Sequence, residues 1–387
     1  MKPPVINRFF EIPKLSFFLL GPRGTGKSTW LKKNFEDKAL LIDLLKPDIQ
    51  RTLNSYPERL FDMIAANTNK KIIIIDEIQK APELLTVVHS ILEEKNNYQF
   101  ILTGSSARKL KNTQANLLGG RALRCIMHPF VAAELGDNFS LEVSLKNGLL
   151  PLTYQKQNEA QDILQAYINL YLKEEIHAEG VVRNLENFTR FLEVMTFSHA
   201  SIINTTNIAA ECQVKRKTVE NYIDILEDFL LGFHLPVFTK KAKRELTAHP
   251  KFYFFDPGVF YALRPKGPLD KPEEIEGASL EGLVAQHLRA WTDFQKESYT
   301  LSFWRTRSGV EVDFVVYGPD GIWAIEVKNS AKIGLGDTKS LQSFLEDYPM
   351  AKGILLYRGK ERIMQKSVLC LPCEEFLLQL RPNKFTF

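Results

Sequence analysis

The stretch Gly21-Pro22-Arg23-Gly24-Thr25-Gly26-Lys27-Ser28-Thr29 constrains this chain more than any other part of it. It lies within "LSFFLLGPRGTGKSTWLKKNF", which reads as strand, glycine-rich loop and helix. Gly21, Gly26, Lys27 and Ser28 fit the spacing G-x-x-x-x-G-K-[ST], and strand-to-helix is the context that this phosphate loop requires. The chemistry explains the spacing. Glycines let backbone N–H groups converge on phosphate oxygens, and the helix N-terminus adds its dipole. Lys27 would reach the β- and γ-phosphates, and Ser28 would ligate Mg²⁺.

Downstream segments supply what such a loop needs. "KKIIIIDEIQKAPEL" begins with an all-aliphatic strand, the signature of a strand buried in a parallel sheet. Asp76 emerges at its end as an expected Mg²⁺ partner, and Glu77 follows as the residue expected to polarise an attacking water. "YQFILTGSSARKL" is a further strand with Thr103, Ser105 and Ser106 at its carboxyl end, either γ-phosphate sensors or ordinary turn residues. "NLLGGRALRCIMHPF" offers Arg121 and Arg124, either surface arginines or a charge reaching a γ-phosphate in cis or from a neighbouring copy. Over residues 10–135 the loop, the "DEIQ" motif and the "GGR…PF" segment resemble the AAA superfamily of P-loop ATPases. The resemblance implies an α/β domain with a parallel sheet that binds ATP and Mg²⁺. GTP is disfavoured, because no guanine-reading N-K-x-D tetrapeptide follows.

The chain has 387 residues, too many for one ordinary core, so two or three domains are expected. With 44% hydrophobic and 25% charged residues it reads as a soluble globular protein. The longest aliphatic run, Ile72–Ile75, is far too short to span a bilayer, and the first residues lack a signal peptide's apolar core. Four cysteines give no disulfide framework, which points to a reducing cytoplasm. Cys370 and Cys373 form a single C-x-x-C with no second pair, and read as structural. A formal charge of +4 permits nucleic-acid binding without arguing for it. Residues 136–203 read as a helical lid or connector, in which His177 and His199 are isolated. Residues 204–264 suggest two helices and two strands around a basic loop, a winged-helix layout. Lys215, Arg216 and Lys217 would open its recognition helix, and Lys240, Lys241, Lys243 and Arg244 would lie in its wing. Basic charge on both elements suits phosphate contacts, but winged helices also serve as packing modules.

Residues 265–387 carry charge where strands usually avoid it. "VEVDFVVYGPDGIWAIEVKN" reads as a hairpin turning at Gly318–Gly321, with Tyr317 opposite Ile322. Simple alternation then sets Asp313 against Glu326 and Glu311 against Lys328 on one face, with Val312, Phe314, Val316, Trp323, Ile325 and Val327 on the other. Opposed carboxylates repel. The order α-β-β-β-α-β, with Asp313 followed by Glu326-Val327-Lys328, resembles the PD-(D/E)XK nuclease superfamily. The resemblance carries over onto Glu281, Asp313, Glu326 and Lys328. It implies Mg²⁺ or Mn²⁺ between the carboxylates, Lys328 beside the activated water, and Arg305 and Arg307 on the substrate backbone. Alternatively, the charges form a salt-bridged strand face. Nearly the whole chain resembles prokaryotic AAA ATPases that end in an uncharacterised, nuclease-like domain after a winged helix. The expected protein is a cytoplasmic, non-membrane ATPase, possible as a homo-oligomer, that controls a DNA-directed and metal-dependent C-terminal module. The alternative keeps the ATPase as a regulatory switch or protein remodeller whose C-terminal domain is an inactive binding or dimerisation module.

Overall fold

Five short apolar segments, β1 (Ser16–Leu20), β2 (Ala39–Asp43), β3 (Ile72–Asp76), β4 (Gln99–Gly104) and β5 (Ala122–Ile126), pair in the order β2-β3-β4-β1-β5. Every pairing is parallel. In the computed structural model, residues 6–94, 97–106, 118–170, 176, 182, 184–240, 244–247, 249–268, 270–385 and 387 are described. β3 is an interior strand, and its aliphatic side chains are buried on both faces, as its sequence requires. Helix α1 (Lys27–Phe35) follows the β1 loop and α2 (Leu84–Glu93) follows β3. This sheet belongs to a unit comprising residues 10–129 and 225–231.

A second unit comprises residues 1–9, 130–224 and 232–387. Its main sheet has six strands in the order β13-β14-β12-β11-β10-β9. β9 (Thr300–Arg305), β10 (Glu311–Gly318) and β11 (Gly321–Lys328) form an antiparallel meander. β12 (Lys352–Tyr357) and β14 (Val368–Pro372) continue in parallel, and β13 (Ile363–Gln365) closes one edge. The long helix α5 (Pro272–Asp293) buries Leu280, Leu283 and Val284 with Phe314, Val316 and Ile325. On the other face α6 (Lys339–Asp347) packs Leu341 and Phe344 with Val312, Val315 and Ala324. The anticipated order α-β-β-β-α-β is therefore the order of α5 through β12. Side chains from the segments 136–203, 204–264 and 265–387 meet: Leu145 and Leu149 from the first and Tyr253 from the second pack with α5 and the sheet.

Residues 204–264 begin with α3 (Thr205–Cys212) and α4 (Arg216–Asp228). Asn204 caps α3 by accepting the Asn207 N–H at 3.1 Å, and Gln213 turns the chain at φ 55°. β7 (Gly232–Leu235) and β8 (Lys251–Phe254) pair antiparallel, and the short β6 (Ser201–Ile202) joins β8. The described ends of the loop expected to project as a wing lie along β9. Phe238 N–H donates to Phe303 O at 2.6 Å, Phe303 N–H to Pro236 O at 2.9 Å, and Thr247 N–H to Arg305 O at 3.1 Å. An edge strand presents unpaired backbone groups, and this loop takes them up. Arg244 pairs with Asp347 at 3.0 Å and Glu346 at 3.3 Å, while the Lys240 ammonium lies 3.8 Å from the Tyr317 ring centre. Lys241, Lys243 and His177 lie outside the described residues.

Candidate functional site

The phosphate loop is held in shape by its own atoms. Gly26 caps α1 at φ 92°, a left-handed conformation that favours glycine, and its carbonyl accepts the Trp30 N–H at 2.9 Å. A Cβ on Gly21 would meet the Met127 carbonyl at 2.5 Å, so only glycine fits where the loop leaves β1. Thr25 Oγ1 donates to Pro22 O at 2.9 Å. Lys27 is buried, and its ammonium donates to Gly21 O at 2.7 Å and Pro22 O at 3.2 Å. Arg23, Gly24, Ser28 and Thr29 are exposed, which leaves the rim of the loop open.

The acidic motif meets this loop. Ser28 Oγ donates to Asp76 Oδ2 at 3.1 Å, so the two expected Mg²⁺ partners stand side by side. The set of a hydroxyl and a carboxylate suits a hard cation, and Ser28 with Asp76 would hold Mg²⁺ there. Thr103, considered as a γ-phosphate sensor, is committed elsewhere. Its hydroxyl donates to Asp76 Oδ1 and accepts the Glu77 N–H at 3.0 Å. The reason is register: Ile75 lies beside Leu102 in the parallel β3–β4 pair, which sets Thr103 next to Asp76. Glu77 adopts φ 62°, uncommon for a non-glycine residue. One Glu77 carboxylate oxygen accepts from Gln79 Nε2, a residue quoted in the motif but given no role by sequence reasoning. Arg121 pairs with Glu93 at the end of α2, and Arg124 is exposed on β5.

The hairpin turns as expected, with Tyr317 opposite Ile322, but its alternation breaks. The β9–β10 register shifts between Val312 and Val315, a bulge that puts these two valines on the same, α6-facing side. Val312 therefore parts company with Phe314 and Val316. The β10–β11 pairing stops at Phe314–Ile325, and the Asp313 carboxylate takes up the Val327 N–H at 2.9 Å. Asp313 is thus not paired across from Glu326, nor Glu311 from Lys328. Glu326 instead pairs with Lys328 on its own strand at 2.7 Å. Arg305 holds Glu311 at 2.7 Å, and Arg307 holds Glu245 at 2.7 Å.

What offsets the repulsion is Lys251, at the head of β8. It is 1% exposed, and its ammonium lies 2.9 Å from Glu281, 2.5 Å from Glu311 and 3.3 Å from Asp313. Tyr253 OH also donates to Glu281, at 2.6 Å. Burial alone would lower the Lys251 pKa, but Glu281 and the other carboxylates hold it well above the usual lysine value. Burial and the Asp313 charge push Glu281 up to about 7 and Glu326 up to about 8. Among the described residues, no group of three His, Cys, Asp or Glu side chains is arranged to hold a metal ion. The donor set expected to share Mg²⁺ or Mn²⁺ thus has an ammonium in contact with Glu281, Glu311 and Asp313, which does not fit a divalent cation in the same place. One oxygen stands apart: Glu326 Oε2 is buried without a hydrogen-bond partner. Sequence reasoning missed Lys251, although a lysine opening the otherwise apolar strand "KFYF" was the same signal as the charges in the hairpin. His199 is buried against Phe260 with its pKa pushed down to about 3 by burial, a neutral core residue. Cys370 and Cys373 are buried, and burial raises the Cys373 thiol to about 12, well outside the reactive range.

The parallel order β2-β3-β4-β1-β5, with Lys27, Ser28, Asp76 and Glu77 gathered at the strand ends, defines an AAA-type P-loop ATPase domain. Residues 14–136 match the AAA domain family. Residues 139–270 and 276–376 each match a domain of unknown function, DUF8612 and DUF4143 respectively. An uncharacterized protein of Haemophilus influenzae is 22% identical over 311 residues, covering 76% of this chain and 74% of that protein. AMPPCP-bound DnaA from Aquifex aeolicus aligns with 55% of this chain and 82% of its own at 13% identity, with a TM-score of 0.28. Protein VC1899 from Vibrio cholerae aligns with 89% of this chain and 96% of its own at 10% identity, with a TM-score of 0.22. At such scores neither solved structure carries an argument about fold or function. No described helix is long and apolar enough to cross a membrane.

Proposed function

We propose that this protein hydrolyses ATP and uses the cycle to drive a C-terminal module that binds a partner without cutting it. The observation that supports hydrolysis is the chain of contacts from Ser28 through Asp76 and Thr103 to Glu77. In this reading the loop Gly21–Thr29 and Lys27 take the phosphates, and Ser28 and Asp76 take Mg²⁺. Mg²⁺ supplies charge neutralisation on the phosphates, and Glu77 accepts a proton from the attacking water. A positioned carboxylate base contributes roughly 10²–10⁴-fold to rate. The observation that supports binding over cleavage is Lys251, whose ammonium already neutralises Glu281, Glu311 and Asp313.

DNA is the proposed partner. Lys215, Arg216 and Lys217 are exposed at the start of α4, although Arg216 also pairs with Glu220 at 2.9 Å. Of the wing, Lys240 and Arg244 do not join them, because they are engaged beside β10 and α6. A homo-oligomer belongs to this proposal through Arg121, which would have to leave Glu93 to reach a neighbour's nucleotide. A second reading, cleavage assisted by Mg²⁺ or Mn²⁺ at Asp313 and Glu326, draws its support from the unpartnered Glu326 Oε2.

The test is an ATPase and DNA-cleavage assay with Mg²⁺ or Mn²⁺. Turnover is expected in the wild type and not in Lys27→Ala, while Glu77→Gln binds ATP but turns it over at least about 100-fold more slowly. No cleavage is expected with either metal. Mn²⁺-dependent cleavage lost in Asp313→Asn would establish the second reading. Neutralising Lys215, Arg216 and Lys217 together should weaken DNA binding at all sequences and flatten its salt dependence by about one slope unit per lost contact. An unchanged salt slope removes α4 from the DNA interface.

A further inference from the structure

Gln79 is a buried carboxamide that the hydrolysis scheme leaves without a task. It is 4% exposed, on the turn that follows β3. Its Nε2 donates both to the Glu77 carboxylate and to Ser105 Oγ, the latter at 3.2 Å. Its Oε1 is buried without a partner among the described residues. That oxygen would lie 2.7 Å from a Cβ placed on Gly104, so the amide is pressed against the end of β4. Gly104 O in turn accepts the N–H of Gly21, the first residue of the phosphate loop, at 3.3 Å.

The orientation of this amide is determined by charge. Flipping it would aim Oε1 at the Glu77 carboxylate, acceptor against anion. The arrangement therefore meets Glu77's need at the expense of Gln79's own acceptor, and buried polar groups left without a partner are rare enough to call for a reason. A residue present only to fill space would be better as methionine or leucine. Glu77 is held from both ends: Thr103 takes its N–H, at a left-handed φ, and Gln79 takes its carboxylate. Backbone conformations of this kind persist only where surroundings fix them.

We propose that Gln79 is a positioning residue for ATP hydrolysis, fixing the Glu77 carboxylate through the N–H it donates to it. The inference rests on the ATPase reading above. In the step it serves, the oxygen of water bonds to the γ-phosphorus, and the bond from that phosphorus to the bridging oxygen breaks with its electrons leaving on ADP. Glu77 accepts the proton that the water loses. Gln79 gains and loses nothing.

The experiment is the pH dependence of kcat for full-length wild type, Gln79→Met and Gln79→Glu, with Lys27→Ala as control and the Kd of a fluorescent ATP analogue measured in each. Gln79→Met should lower kcat about 10-fold or more while leaving Kd within about twofold. In a Glu77→Gln background Gln79→Met should have little further effect, because the group it positions is gone. Gln79→Glu keeps the shape but donates only when protonated, so its deficit should grow as pH rises. Wild-type kcat in Gln79→Met, or an equally large further loss from it in the Glu77→Gln background, would overturn the inference while turnover abolished in Lys27→Ala left the ATPase reading standing. No turnover in the wild type would overturn both.

Discussion

Lys27 leans on two backbone carbonyls of its own loop, whereas Lys251 is locked among three carboxylates drawn from α5 and β10. Both lysines are buried, yet they solve opposite problems. The Gly21 and Pro22 carbonyls are neutral, so phosphate oxygens can replace those two contacts with a gain in Coulomb energy. The partners of Lys251 are themselves buried charges, and each would be left exposed to its neighbours if the ammonium departed. Glu281, Glu311, Asp313 and Glu326 face Lys251, Arg305 and Lys328, so charge nearly balances with no outside ion. A site built to exchange its ligand keeps weak internal partners. A site whose counter-ion is covalently part of the chain is committed to structure first.

The largest effect should come from removing that built-in cation. Lys251→Met leaves buried carboxylates without their shared partner, and breaking such a pair costs about 3–5 kcal/mol. Urea unfolding followed by the fluorescence of Trp291, Trp304 and Trp323, all in the second unit, reads the change. A loss under about 1 kcal/mol would show that protonation of the carboxylates substitutes for the ammonium, and the contrast with Lys27 would collapse.

Lys27→Met sharpens the comparison from the other side. Turnover should fall at least about 100-fold, equivalent to about 2.7 kcal/mol of transition-state stabilisation. Stability should change by less than in Lys251→Met, because the hydrogen bonds lost at Gly21 O and Pro22 O are to neutral carbonyls. A melting temperature that falls as far as in Lys251→Met would make both lysines structural.

A smaller effect is the pH dependence of the second unit. Glu326 stands at about 8 and Glu281 at about 7 in the folded state, both raised by burial and then by Asp313. Groups with raised folded pKa values favour folding fully below their unfolded values near 4.5, and this contribution is lost as pH rises through about 7 to 8. Stability should therefore decline between pH 5 and 8. Glu326→Gln mimics the protonated acid and should flatten that slope. An unchanged slope would assign it to groups outside the cluster.

Asp313→Asn should have the smallest effect on stability. The asparagine oxygen can still accept the Val327 N–H, and one repelling charge disappears. The variant should unfold within about 1 kcal/mol of wild type, on the stable side, since like charges in sheets cost a few tenths to 1 kcal/mol. It should also weaken the pH slope, because Asp313 raises both Glu281 and Glu326. Clear destabilisation would mean that its contact with Lys251 outweighs the repulsion.

Much of the N-terminal site was legible because it is local. Gly21, Gly26, Lys27 and Ser28 are contiguous, and their backbone conformations follow from residue type, so the loop could be read without knowing the fold. Asp76 and Glu77 were legible because an aliphatic parallel strand delivers its next residues to the same edge. The contacts of Thr103 were not legible, because its partner depends on which strand lies beside β3, and local pattern does not specify strand neighbours. Gln79 was passed over for the same reason: the direction of its amide depends on Ser105 and Gly104, more than 20 residues away in the chain.

In the C-terminal half the sequence by itself determined the order of elements, the hairpin turn at Gly318–Gly321 and the presence of charge in apolar strands. Only the tertiary structure decided how that charge is neutralised. A one-residue bulge in β10 breaks the alternation on which the face assignment relied, and bulges arise from pairing with a neighbouring strand rather than from the strand's own residues. The counter-ion comes from Lys251, 30 residues before Glu281 and 62 before Asp313, on a strand assigned to another domain. Periodicity reports which face of an element is buried, but it does not report what charge the opposing element brings, because that depends on how separate segments pack together.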